Sequence, residues 1–115
     1  MIDPKVLQDF IHDGVEFWCD TDEQRVALLT ALDELGYRWY SNNKLLAMTR
    51  EDYQVKYGPY NGISYRIMTD IGRVTKGRGL EEGMILVSNL METAALTEVN
   101  QSDLLTMLFE TEVTA

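Results

Sequence analysis

Cys19-Asp20-Thr21-Asp22-Glu23-Gln24 and, one helix length later, Leu32-Asp33-Glu34-Leu35-Gly36-Tyr37-Arg38-Trp39 carry the fold class. Thr21 followed three residues on by Gln24 is a capping box: the threonine caps a helix and the glutamine reaches back to it. Asp22 and Glu23 add negative charge at the positive end of the helix dipole. Leu28, Leu29, Leu32 and Leu35 form one stripe, and Gly36 suits the stop, so the spacing predicts a helix over 22–35. Before it, Val15, Phe17 and Cys19 alternate with Glu16, Trp18 and Asp20, the pattern of a half-buried strand. After it, residues 37–40 alternate again.

Towards the N-terminus, Asp3 caps and Pro4 opens a short helix over 3–13, with Val6, Leu7, Phe10 and Ile11 on one stripe and Gly14 as its stop. Downstream, Ser41-Asn42-Asn43 predicts a turn, 44–49 a second strand and 50–61 a long polar and aromatic loop. Ile63, Tyr65 and Ile67 alternate with Ser64, Arg66 and Met68. A turn at Asp70-Ile71-Gly72 leads to a strand over 73–76, a glycine-rich loop and an apolar strand over 84–87. Residues 90–99 read equally as loop, helix or edge strand. Asn100 and Asp103 head a last helix with Leu104, Leu105, Leu108 and Phe109. The expected fold is α+β: one domain over 1–115, with an antiparallel or mixed sheet of about four to five strands and helices on one face.

The 115 residues are 45% hydrophobic, enough for a core, which excludes a disordered chain. No apolar run approaches the roughly 20 residues of a membrane span, and the N-terminus carries no signal-peptide pattern. A single cysteine, Cys19, makes a reducing, cytoplasmic setting the expectation.

The net charge of −9 is polarised. Residues 1–36 hold nine acids and two bases, residues 37–79 three acids and eight bases, and residues 80–115 seven acids and no base. These blocks carry −7, +5 and −7. The middle block also holds all six tyrosines and Trp39. Bases interleaved with aromatics suit stacking on nucleobases and neutralising phosphates. A Debye length of about 8 Å is shorter than the roughly 13 Å radius of gyration at this size, so a partner responds to the face it touches. Two readings stay open: a binding surface of Arg38, Tyr40, Arg66, Arg73, Lys76 and Arg78, or bases that pair with the domain's own acidic helices.

Catalytic chemistry has little to work with. His12, the one histidine, ends a short helix and reads as a capping or solvent-facing residue. Cys19 reads as a buried, inert thiol. One histidine and one cysteine make no zinc cluster, and the carboxylates of 20–23 are explained by capping. Gly72-Arg73-Val74-Thr75-Lys76-Gly77-Arg78-Gly79 lacks the Gly-Lys-Ser/Thr of a phosphate loop, though a basic turn there can still touch a phosphate. No cofactor and no metal are called for, and the expectation is a protein that is not an enzyme.

The stretches from Cys19 to Gln24 and Leu32 to Trp39, with Tyr65-Arg66-Ile67, Gly72-Arg73-Val74-Thr75 and Met84-Ile85-Leu86-Val87-Ser88, resemble small phage and prophage accessory proteins over residues 15–88. In those chains a strand leads to a Thr-capped helix and a Gly-Tyr-x-Trp strand. The resemblance implies a mobile-element origin and a compact α+β fold. Some acidic phage proteins of this size inhibit host restriction or CRISPR systems. The leading expectation is therefore a phage-type inhibitor of a host nucleic-acid-binding defence enzyme. Its acidic surface, Glu81, Glu82, Glu92, Glu98, Asp103, Glu110 and Glu112, would mimic a phosphate backbone in the partner's basic groove. The alternative is nucleotide, single-strand or RNA binding through 37–79. Neither involves a membrane, and a homo-oligomer is compatible with both.

Overall fold

The computed structural model describes residues 1–45 and 47–91. Asp3 caps α1 (Pro4–Gln8), its carboxylate accepting the Lys5 N–H at 2.9 Å. The helix ends sooner than the stripe predicts. From Asp9 to Ile11 the N–H groups bond three residues back, to Val6, Leu7 and Gln8, a tightening typical of helix ends. Gly14, at φ 82°, is not the helix stop: its N–H bonds to the Ile67 carbonyl at 2.8 Å and leads the chain into the sheet.

β1 (Glu16–Cys19) alternates as expected, with Phe17 and Cys19 fully buried. α2 (Asp22–Glu34) follows Thr21, whose hydroxyl accepts the Gln24 N–H at 3.2 Å. Gln24 returns the bond one residue earlier than the expected box, accepting the Asp20 N–H at 2.8 Å. Leu28, Leu29 and Leu32 are buried, joined by Arg25, Ala27 and Ala31, while Leu35 is half-buried.

β2 is only Arg38–Trp39, and Asn42, at φ 73°, turns the chain after it. Among the described residues of 44–49 the expected strand does not form; Lys44 makes one isolated bridge to Arg38. The segment is bound to α2 instead: Leu45 is buried and the Met48 carbonyl accepts from Arg25 at 2.7 Å. The loop expected over 50–61 is largely a helix, α3 (Arg50–Tyr57). Thr49 caps it, accepting the Asp52 N–H at 3.1 Å, with Glu51 and Asp52 at the dipole's positive end. Its one buried residue is Tyr53, so it lacks the apolar stripe that betrays a helix in sequence.

β3 (Ile63–Met68) and β4 (Arg73–Lys76) form a hairpin, and β5 (Ile85–Leu86) is shorter than the 84–87 expected. Residues 87–91 are helical, with Val87 and Leu90 buried one turn apart. The last predicted helix and most of the undecided 90–99 stretch lie outside the described residues, as do Glu92, Glu98, Asp103, Glu110 and Glu112.

The five strands make one mixed sheet in the order β2-β4-β3-β1-β5, so the fold is α+β. The central pairs β1–β3 and β3–β4 are antiparallel; the outer pairs β2–β4 and β1–β5 are parallel. Phe17 faces Tyr65, Cys19 faces Ile63 and Ile67 faces Val74. These side chains share a core with Leu28, Leu29 and Leu32 of α2. By the two-residue period of strands, Glu16, Trp18, Ser64, Arg66, Met68, Arg73, Thr75 and Arg38 take the opposite face.

Candidate ligand-binding cleft

On the core side of the sheet, the described residues leave a gap at the end nearest β2. The register sets Trp39 beside Val74, and Tyr65 beside Lys76, so three neighbouring strands present these side chains on one face. Above them α3 supplies Tyr53, Lys56 and Tyr57, which its three- and four-residue spacing keeps together. Between strands and helix lies an open cleft of about 480 Å³, which Tyr40, Ser41, Met48 and Arg25 also line. That volume falls within the roughly 300–1,000 Å³ of small-molecule sites.

The cleft is aromatic and basic. Trp39 and Tyr65 pack with ring centroids 5.8 Å apart, and Tyr53 and Tyr57 at 5.0 Å. Lys56 and Lys76 place their ammonium groups 5.3 and 5.1 Å from the Tyr57 ring centroid. Tyr57 is half exposed, and among the described residues no carboxylate lines the cleft.

Arg25 is the structural anchor of this site. Its Nε donates to Asp22 Oδ1 at 2.8 Å, its Nη2 lies 2.7 Å from the same oxygen in an ion pair, and Nη2 donates to the Met48 carbonyl. The guanidinium carbon sits 4.8 Å from the Tyr53 ring centroid, a cation–π contact away from water. Because Asp22 matches its charge, Lys56 and Lys76 supply the cleft's unbalanced positive charge. Among the described residues, Arg25–Asp22 is the one salt bridge, so the eight bases of 37–79 make no ion pair there with the acidic helices.

Burial holds the phenols neutral. The Tyr65 and Tyr60 hydroxyls are pushed well above the ordinary range mainly by desolvation, and Tyr53 is raised by the same cause. Tyr60 donates to the Cys19 carbonyl at 2.6 Å and packs against Tyr53 at 5.3 Å. Cys19 is a buried free thiol pushed up to about 12 by burial, which outweighs the opposing charge of Arg25. His12 is exposed, its Nδ1 3.3 Å from the Asp13 carbonyl oxygen, and does not line the cleft. Among the described residues no group of three or more His, Cys, Asp or Glu is placed to hold a metal. None of the described helices is long and apolar enough to cross a membrane.

The six residues read as one basic surface do not form one. Tyr40 and Lys76 line the cleft, whereas Arg38, Arg66 and Arg73 take the opposite face of the sheet. Arg78 lies in the loop beyond β4, exposed, its carbonyl accepting the Ser64 hydroxyl. Gly77 donates its N–H to the Ser64 carbonyl at 2.8 Å, so the glycine-rich stretch begins as an extension of the β3–β4 ladder. Glu81 and Glu82 are exposed beside a shallow groove with His12 and Glu16. The reading of 50–61 as loop hid Tyr53, Lys56 and Tyr57 as a set; the Thr49-x-x-Asp52 cap was the available signal. In comparisons with family models, curated proteins and solved structures, the chain matched none.

Proposed function

We propose that the protein is a non-enzymatic binder of nucleotides or single-stranded nucleic acid, with the base in the aromatic cleft and a phosphate on Lys56 and Lys76. The observation that carries this is two ammonium groups within 5.3 Å of one half-exposed tyrosine ring, in a cleft that no described carboxylate lines. A planar anion satisfies both features at once. Base–aromatic stacking contributes about 1–3 kcal/mol per base, and the lysines supply salt-sensitive attraction. The net charge of −9 does not oppose this, because most acids lie outside block 37–79 and screening is short-ranged.

Calorimetric titration with nucleoside monophosphates and short single strands at low salt tests the proposal. Binding should weaken about 5- to 150-fold in Tyr57→Ala, the equivalent of one lost stack. Lys56→Gln with Lys76→Gln should flatten the salt dependence. Absence of binding to every nucleotide and oligonucleotide removes the proposal.

A second reading is favoured by the excess of acids and by the exposure of Glu81 and Glu82. Here the chain is a phage-type inhibitor of anti-CRISPR or anti-restriction kind, its carboxylates occupying the basic groove of a host nucleic-acid enzyme. Blocking of such an enzyme's DNA or RNA binding, relieved by charge reversal at Glu81, Glu82, Glu110 and Glu112, supports it. Inhibition that survives the reversal refutes it.

A further inference from the structure

The face of the sheet turned away from the cleft carries a line of arginines. Arg38 on β2 pairs with Arg73 on β4, and Arg73 in turn faces Met68 on β3, two residues from Arg66. Adjacent strands lie about 4.8 Å apart. Diagonal neighbours such as Arg73 and Arg66 have centres roughly 7–8 Å apart. The three arginines therefore stand on three adjacent strands, Arg38 directly beside Arg73 and Arg66 diagonal to it. Like charges on neighbouring strands repel, so this arrangement costs stability unless an anion lies over it.

No carboxylate among the described residues comes within 4.0 Å of their guanidinium nitrogens. Arg38 reaches the Asn42 carbonyl at 3.5 Å, and Arg73 the Ile71 carbonyl at 3.1 Å. The Arg66 guanidinium lies over Gly14, 3.6 Å from where a Cβ would stand. Glu16, opposite Arg66 in the ladder, makes no ion pair among the described residues and has its Oε2 beside Gly77. Asp13 is engaged by the Thr69 N–H and hydroxyl at 3.1 and 3.4 Å. Asp70 is exposed in the β3–β4 turn and makes no salt bridge there.

Among the described residues β2 is an edge strand, so the rim of the cleft and the arginine face meet there. Trp39 points into the cleft, Arg38 to the other face, and Tyr40, 68% exposed, lines the cleft at the strand's end. We infer that the arginine face carries the phosphodiester backbone of a single strand whose end base occupies the cleft. The ligand is then an oligonucleotide that rounds the β2 edge, not a free nucleotide. This rests on the reading of the cleft given above.

The test compares one nucleoside monophosphate with a single-stranded hexanucleotide, on the full chain and on Arg38→Ala/Arg66→Ala/Arg73→Ala. The hexanucleotide should bind more tightly than the monophosphate. The triple variant should lower the log–log salt slope for the hexanucleotide by about 2, at about 0.7 for each phosphate no longer neutralised. Its monophosphate affinity should not change. Lysine at the three positions should keep the slope, and Arg38→Gln and Arg66→Gln alone should each lower it by about 0.7 if the triple variant fails to fold. A hexanucleotide no tighter than the monophosphate, or an unchanged slope in the variants, overturns the inference and leaves the cleft standing. Failure of the monophosphate and the hexanucleotide alike removes both. Polyglutamate displacing the hexanucleotide at equal charge assigns the face to acidic protein surfaces instead and also overturns it.

Discussion

Replacing Arg25 by methionine keeps most of the side chain's bulk and removes its charge. Arg25 is 1% exposed and holds three elements together: Asp22 in the first turn of α2, the Met48 carbonyl before α3, and the Tyr53 ring within α3. Removing one member of a buried ion pair costs about 3–5 kcal/mol, because the other charge is left without its partner. Two features reduce that figure. The Asp22 side chain keeps 15% of its exposure, and it sits where the α2 dipole favours a carboxylate. The unpaired Met48 carbonyl adds about 1–3 kcal/mol where water cannot reach it. The expected loss is about 2–4 kcal/mol, a large share of the roughly 5–15 kcal/mol that holds a domain folded. At this chain length that lowers the melting temperature by about 8–16 °C. Urea and thermal denaturation followed by circular dichroism measure it, with Asp22→Asn and the double variant completing a cycle. A coupling energy of at least about 1 kcal/mol between the two positions is expected. A loss below about 1 kcal/mol with unchanged urea dependence, or additive single variants, refutes the assignment of Arg25 as the anchor.

Three further outcomes follow from the same geometry. The folded protein holds Cys19 protonated up to about 12, while the unfolded thiol titrates near its ordinary value of 9.0, so unfolding releases a proton in between. Stability from this group is complete below pH 9.0 and is lost as pH rises towards 12, with Tyr65 and Tyr60 acting in the same direction. The urea midpoint should therefore fall steadily above about pH 9, and native Cys19 should resist a thiol reagent at about pH 8 until the protein is unfolded. A profile that stays flat to about pH 11 contradicts the burial. Gly62 has φ 100° and a Cβ there would clash with the Trp18 indole, so Gly62→Ala should cost about 1–3 kcal/mol and shift the Trp18 fluorescence. Thr49→Ala should cost about 1 kcal/mol by uncapping α3, and should weaken ligand binding because α3 carries Tyr53, Lys56 and Tyr57. Unchanged affinity with lost stability would detach α3 from the site.

Local signals were legible wherever a residue's role depends on its near neighbours. Thr21 and Gln24 announced α2, the alternation of 15–20 and of Ile63 to Met68 announced two strands, and the turn at 70–72 placed a third over 73–76. The misreadings have physical causes. The 44–49 stretch has strand-like composition, but its backbone is claimed by Arg25 from 23 residues away. α3 has a cap and an acidic first turn, yet buries only Tyr53, so hydrophobic periodicity could not reveal it. The candidate cleft was visible only as a basic, tyrosine-rich block; which of its members converge was not.

The order of residues alone was enough for the α+β class, the main helix with its cap, and the division of charge into −7, +5 and −7. Caps and two-residue alternation act over a few bonds, so they survive without tertiary context. Which side of the sheet each base serves depends instead on long-range pairing. Alternation shows that Arg66 and Tyr65 face opposite ways, but β2 pairing in parallel with β4 is what sets Trp39 beside Val74 and Arg38 beside Arg73. That pairing joins residues 35 apart in the chain, with no local signal to foretell it. It separates the basic block into a cleft with two lysines and a face with three arginines.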